Sequence, residues 1–196
     1  MIINVAGTSG SGKTHLIRGF LAWAGKRGIV KPCFTEERKS PIGYDIILPR
    51  KQRPVKFVPH VVGAYEDVDS AGCDTFRDVV WIFDHIRKQH EAGRDVIYEG
   101  LFMMNMTRGP QLAAEFGEEL CVLQLAVPLS VCLASINARR EARGEGPLRN
   151  KENTVGNYKR AENYCVKMRG AGARVIRVKR EEALPALLEV LGSDAV

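Results

Sequence analysis

The chain alternates short apolar runs with longer segments that carry one apolar face. Ile2–Ala6, "IINVA", is unbroken apolar sequence and reads as a buried strand that ends at a glycine-rich turn. From Lys13 the residues Leu16, Ile17, Phe20, Leu21 and Ala24 recur at helical spacing, with stops at Gly25 and Gly28. "IVKPCF", starting at Ile29, reads as a second strand, and Pro32, with no N–H to give a neighbour, suggests an edge or irregular position. Residues 44–62 predict a small β-ribbon insertion, "YDIILP" and "VKFVPHVV" flanking the basic turn "RKQRP". Residues 73–93 predict one long helix whose apolar face holds Phe76, Val79, Val80, Phe83 and Ile86. Asp74 or Thr75 is its expected N-cap and Gly93 its stop. "DVIYEG", "LCVLQLAV" and "ARVIRV" supply a third, fourth and fifth strand, and helices are expected over 110–116, 129–143, 153–170 and 181–191. Such alternation predicts an α/β fold with a mostly parallel sheet covered on both faces. Right-handed crossovers then bring the strand C-termini to one edge, where ligands bind.

The glycine-rich turn sits at that edge. Gly7, Thr8, Ser9, Gly10, Ser11, Gly12, Lys13 and Thr14 fit G-x-x-x-x-G-K-[ST] without a mismatch, between a buried strand and an amphipathic helix as the motif requires. Small residues let successive backbone N–H groups converge on phosphate oxygens at the positive end of a helix. Lys13 is placed for the β and γ oxygens of ATP, and the Thr14 hydroxyl for Mg²⁺.

Composition narrows the setting. At 196 residues, 45% of them apolar, the chain suits one compact core, and residues 1–196 are expected to form a single domain. No apolar run approaches the roughly 20 residues of a membrane span, and Met1 leads directly into the first strand without a secretory leader. Cys33, Cys73, Cys121, Cys132 and Cys165 are scattered and include no CxxC pair, which fits reduced thiols in the cytoplasm better than a disulfide or zinc framework. The net charge of +6 is uneven. Residues 137–180 hold 13 Lys/Arg against 4 Glu, or +9, and the rest hold 16 basic against 19 acidic residues, or −3. A basic C-terminal third calls for an anionic ligand, either nucleotide phosphates or a nucleic-acid backbone.

The motif alone does not name a reaction. A GTPase reader of the Asn-Lys-x-Asp type is mimicked at Asn150, Lys151, Glu152 and Asn153, but the aspartate is missing and no strand precedes it. Ring ATPases need a longer chain. A small kinase fits, on three further features. Glu99 ends a strand beside the loop, where it would hold the Mg²⁺ water shell or orient the acceptor. "INARREARGEGPLRN", about 137–152, places Arg139, Arg140 and Arg143 on a helix end leading into a Gly-rich lid, at spacings that let them converge on one triphosphate. Glu36, in "TEER" after the second strand, is a candidate general base.

With these parts the chain resembles the nucleoside/nucleotide kinase branch of P-loop proteins, through "GTSGSGKT", "YEG" and "INARREARG". The resemblance implies a three-layer fold with a five-stranded parallel sheet of order 2-3-1-4-5, ATP with Mg²⁺, and phosphoryl transfer to a nucleotide-like acceptor. "VVGAYEDVDSAGCDTF" looks more narrowly like small bacteriophage-encoded P-loop kinases, some of which phosphorylate 5-hydroxymethyluracil within DNA. That likeness implies that Tyr65, Asp74, Thr75 and Arg77 face the acceptor, and that Asp74 is an alternative base to Glu36. The chain departs from thymidylate kinases in lacking an Asp-Arg-Tyr/His triplet after the second strand. A base within DNA requires an open basic track, for which Arg50, Lys51, Arg53 and Lys56 are candidates; a free nucleoside or monophosphate requires only a closed pocket. A rival of another class is an ATP-binding switch or DNA-binding adaptor. Oligomeric state, and ATP against GTP, stay open at this level. A phage-encoded chain would work in the host cytoplasm.

Overall fold

The computed structural model describes residues 1–48, 58–67 and 71–192. Five strands run parallel: β4 (His60–Val62), β5 (Val96–Glu99), β1 (Ile2–Ala6), β6 (Leu120–Leu125) and β7 (Arg174–Val178), adjacent in that order. Beyond β4, β3 (Gly43–Ile47) pairs antiparallel, and β2 (Ile29–Cys33) closes the sheet antiparallel to β3. Register is tight around the centre, with Val5 between Glu99 on one side and Leu123 on the other.

The sheet therefore has seven strands rather than five, and the order 2-3-1-4-5 fails for the strands as expected. The strand at Ile29–Cys33 is not the neighbour of Val96–Glu99; β4 takes that place, and β2 is displaced two positions outward. The expected β-ribbon over 44–62 is corrected in the same way. Its two arms pair with each other, but β4 also pairs with β5, so both arms are built into the main sheet. All three β4 residues are buried, whereas β2 is mostly exposed, and the chain places its apolar run inward. The basic turn at Arg50, Lys51, Arg53 and Lys56 lies outside the described residues.

Alternation along the strands divides the core into two layers. Ile3 and Val5 face α1 (Lys13–Gly25) and α6 (Ala183–Val190), meeting Leu16, Ile17, Phe20 and Leu187. Ile2 and Ala6 face the other way, towards α2 (Val79–Glu91), α3 (Arg108–Phe116) and α5 (Glu152–Gly170), among Phe83, Ile86, Leu112 and Tyr164. A further helix, α4 (Leu129–Ala142), leads from β6 towards α5.

The expected helix start at Asp74 or Thr75 is also corrected. Cys73–Thr75 is one 3₁₀ turn, Phe76 is extended, and α2 begins at Val79. Asp78 is the cap, its carboxylate accepting from the N–H groups of Val80 (2.8 Å) and Trp81 (3.1 Å). Asp74 is thereby released for other work.

Under α2 the outer strands share a polar network. His60 bonds Asp45 through Nδ1 at 2.7 Å and His85 through Nε2 at 3.0 Å, and Arg94 donates to the same Asp45 oxygen at 2.6 Å. Burial, with His60 alongside, pushes His85 down to about 4, and burial lowers His60 too. Unfolded histidine takes its proton near pH 6.5, so this contribution to stability is complete above about 6.5 and is lost as pH falls towards about 4. The thermal midpoint should drop across that window. His85→Phe, which keeps the stack on Trp81, should show a shallower drop when unfolding is followed from pH 7 to pH 5.

Candidate active site

The turn between β1 and α1 is shaped by what its glycines leave out. At Gly10, φ is +78° and a Cβ would sit 2.3 Å from the Cys132 carbonyl oxygen. At Gly12, φ is +104° and a Cβ would press on Arg180. Gly12 caps α1 with no side chain, so the first-turn N–H groups have no side-chain partner. The Ser11 hydroxyl is buried without a hydrogen-bond partner. Lys13 is buried and folds back over the loop, its Nζ donating to the carbonyls of Gly7 (2.8 Å) and Thr8 (3.2 Å). Burial lowers its pKa and Arg139 reinforces this, while Glu99 and Asp74 oppose it. Thr8 is buried as well, its hydroxyl 3.5 Å from the Thr154 carbonyl on α5; Ser9 is half-buried at the loop's tip.

Glu99 ends β5 one register step from the loop and is 2% exposed. Burial raises its pKa, and Lys13 and a hydrogen bond from Thr14 pull it back. That bond runs from Thr14 Oγ1 to Glu99 Oε1 at 2.9 Å. Space for the carboxylate comes from Gly72, where a Cβ would lie 2.4 Å from Oε1. Asp74 spans to the turn after β5: its two oxygens accept from the N–H groups of Leu101 (2.7 Å) and Phe102 (3.0 Å).

The remaining expected site residues divide. Arg139 is close enough to Lys13 to perturb it. Arg140 and Arg143 instead converge on Glu145, at 2.8 and 3.0 Å, and Arg140 also donates to the Gly146 carbonyl at 2.7 Å. Thr75 donates to the Gly72 carbonyl (2.9 Å) and accepts from Arg38 (3.3 Å). Tyr65 is buried against Tyr44 and donates to the Val62 carbonyl at 3.3 Å, so its hydroxyl is committed inward. Arg77 is exposed beside Asp78. Glu36 is exposed on the turn after β2, four strands from β1.

Two arginines, Arg180 and Arg18, escaped the sequence reading, whereas Arg38 belongs to the "TEER" stretch already placed at the ligand edge. Arg180, just past β7, donates to the carbonyls of Gly10 (2.7 Å) and Ser11 (3.1 Å) and to the Ser135 hydroxyl (3.3 Å), clasping the loop from behind. Its position at a strand C-terminus was the available signal. Arg18, one turn past Thr14, donates to the carbonyls of Tyr65 (3.2 Å) and Asp67. Arg38 lies over the Phe76 ring at 4.0 Å.

The residues present suit a magnesium triphosphate. Free helix-start N–H groups, a buried hydroxyl without a partner and a lysine at the loop provide for phosphate oxygens. Thr14 and Glu99 provide two hard oxygen donors for a divalent ion.

No family model matches the chain. Over 193 residues it is 33% identical to a protein of Pseudomonas phage PaMx11 named 5-hmdU DNA kinase, a match that covers 97% of this chain and 96% of that protein.

Gly10→Ala should weaken nucleoside triphosphate binding at least about tenfold, since both the positive φ and the Cys132 carbonyl resist a Cβ. Gly93→Ala, also at positive φ but with open space around it, serves as the control. The shift in melting temperature with added ATP and Mg²⁺ measures both.

Proposed function

The chain belongs to the family of phage 5-hmdU DNA kinases, and from that premise we propose that it transfers the γ-phosphate of ATP to the hydroxymethyl oxygen of 5-hydroxymethyluracil within DNA. The end-to-end match to a kinase of that name carries the reading. Two features of this chain support it: Lys13, Thr14, Glu99 and Asp74 gathered at one edge of the sheet, and a basic C-terminal third suited to a polyanion.

In this reading the loop amides of residues 7–14 and the Ser11 hydroxyl hold the β and γ phosphates, and Lys13 exchanges its loop carbonyls for phosphate oxygens. Thr14 and Glu99 hold Mg²⁺, which neutralises charge on the transferring group when bound. Arg139 adds positive charge next to Lys13, and Arg140 and Arg143 act in a lid over residues 137–152 once released from Glu145. The acceptor hydroxyl attacks γ-phosphorus, the bond to the β,γ-bridging oxygen breaks, and ADP leaves. The hydroxyl proton passes to a carboxylate. Asp74 fits this role better than Glu36, because its charge is felt at Lys13 whereas Glu36 lies four strands from the loop. Catalysis is mostly positioning and charge neutralisation, so the base contributes less than Lys13. Thr75, Arg77 and the Tyr65 segment line the acceptor side, with Tyr65 shaping the wall from within. Residues 1–196 act as one kinase domain in the host cytoplasm; no helix among the described residues is long and apolar enough to cross a membrane.

Incubation with γ-labelled ATP should label hydroxymethyluracil-containing DNA and no free nucleoside or monophosphate. Label appearing only in inorganic phosphate would reject a kinase in favour of a nucleotide-driven switch. Lys13→Ala should lower transfer by about 10²–10³-fold while the chain still folds, with a lowered unfolding midpoint because buried Glu99 loses its opposite charge, and chelation of divalent ions should abolish transfer.

A further inference from the structure

Among the described residues the large exposed aromatic side chains are Phe34, Trp81 and Phe102, at 56%, 36% and 57% exposure. A single exposed apolar side chain needs no explanation, but these three share a location. Phe34 follows the C-terminal end of β2, Trp81 lies in the first turn of α2, and Phe102 stands three residues past Glu99. All three are on segments that leave the sheet at the edge where the glycine-rich loop lies.

Trp81 already stacks with two rings, Phe76 at 5.2 Å and His85 at 4.9 Å. Phe102 is different. Its backbone is pinned while its ring stands in solvent. The Asp74 carboxylate takes the N–H groups of Leu101 and Phe102. On the other side of the same turn Arg160 donates to the Met104 carbonyl and Lys167 to the Met106 carbonyl, each at 3.2 Å. Met103 and Met104, next in the chain, are completely buried. A loose loop can tuck an apolar ring away; a turn held from both sides cannot.

The cations that pin the turn define what would cover the ring. Arg160 and Lys167 belong to the basic third and bring positive charge to this turn, two and four residues along the chain from Phe102, where it suits a phosphate backbone. A kinase that takes a base of duplex DNA into an enclosed site turns that base out of the stack and leaves a gap. Apolar side chains such as Phe fill gaps of this kind by inserting between base steps. We propose that Phe102 is that wedge: it enters the space vacated by the extruded nucleotide and holds the target base in the site beside Glu99 and Asp74. The inference rests on the reading that the acceptor is a base within DNA. Phe102 is a positioning residue and takes no part in phosphoryl transfer.

The test compares wild type, Phe102→Ala and Phe102→Leu on one hydroxymethyluracil oligonucleotide, single-stranded and in duplex, with 2-aminopurine placed next to the target. Wild type should raise 2-aminopurine fluorescence on binding duplex in the absence of ATP. Phe102→Ala should bind with the same salt dependence yet leave the fluorescence low. Its kcat/KM should fall about 10–100-fold on duplex and less than about threefold on the single strand. Phe102→Leu, which keeps an apolar wedge, should recover most of both signals. Equal losses on the two substrates, or full fluorescence with Phe102→Ala, would overturn the wedge. The wild-type arm separates the two claims. Label on monomers alone refutes the DNA acceptor and the wedge together, whereas label on duplex DNA with an unimpaired alanine variant refutes the wedge only.

Discussion

The hydrogen bond from Thr14 to Glu99 joins the start of α1 to the end of β5, and the site is arranged around it. A carboxylate at 2% exposure is costly unless opposite charge and donors meet it. Glu99 has both, in Lys13 and Thr14, and each is supplied by the helix start that the glycine-rich loop forces into place. Burial of Glu99 also reaches the turn that carries Asp74. Gly72 must lack a side chain for the carboxylate to fit, and the turn that follows Gly72 delivers Asp74 to the amides after β5. One buried charge thus couples the glycine-rich loop, β5 and the turn that carries Asp74.

Legibility in the sequence followed the range of the interactions involved. The loop over residues 7–14 is a local code: its glycines, lysine and threonine are consecutive, and strand before and helix after announce themselves by periodicity. Pairing of β2, β3 and β4 is not local. Pro32 suggested an edge or irregular position and β2 is an edge strand, but nothing in "VKFVPHVV" says that His60 and Val61 will pair with β5 and push β2 outward. The start of α2, expected at Asp74 or Thr75, lies at Asp78 instead. The extended Phe76 decides for Asp78, because Asp74 gains two amide donors elsewhere.

The arginines show the same divide. Helical spacing put Arg139, Arg140 and Arg143 on one helix end, but spacing does not say which anion they meet. Glu145, two residues past Arg143, takes two of them. Arg180 carried no motif at all, though its three bonds around Gly10, Ser11 and Ser135 tie the last strand to the first loop across almost the whole chain. Contacts of that kind become visible only once the sheet order is known.

The position of Lys13 bears on which anions the loop accepts. With its ammonium turned onto the carbonyls of Gly7 and Thr8, the loop satisfies its own cation. An incoming anion has to replace two hydrogen bonds made to a buried charge before it gains any. A lone phosphate offers few oxygens for that exchange, while a polyphosphate chain engages the amides of the helix start at the same time and draws the lysine out. If the loop holds the donor as proposed, this resting arrangement favours an anion that arrives with several charges in a row over a lone phosphate.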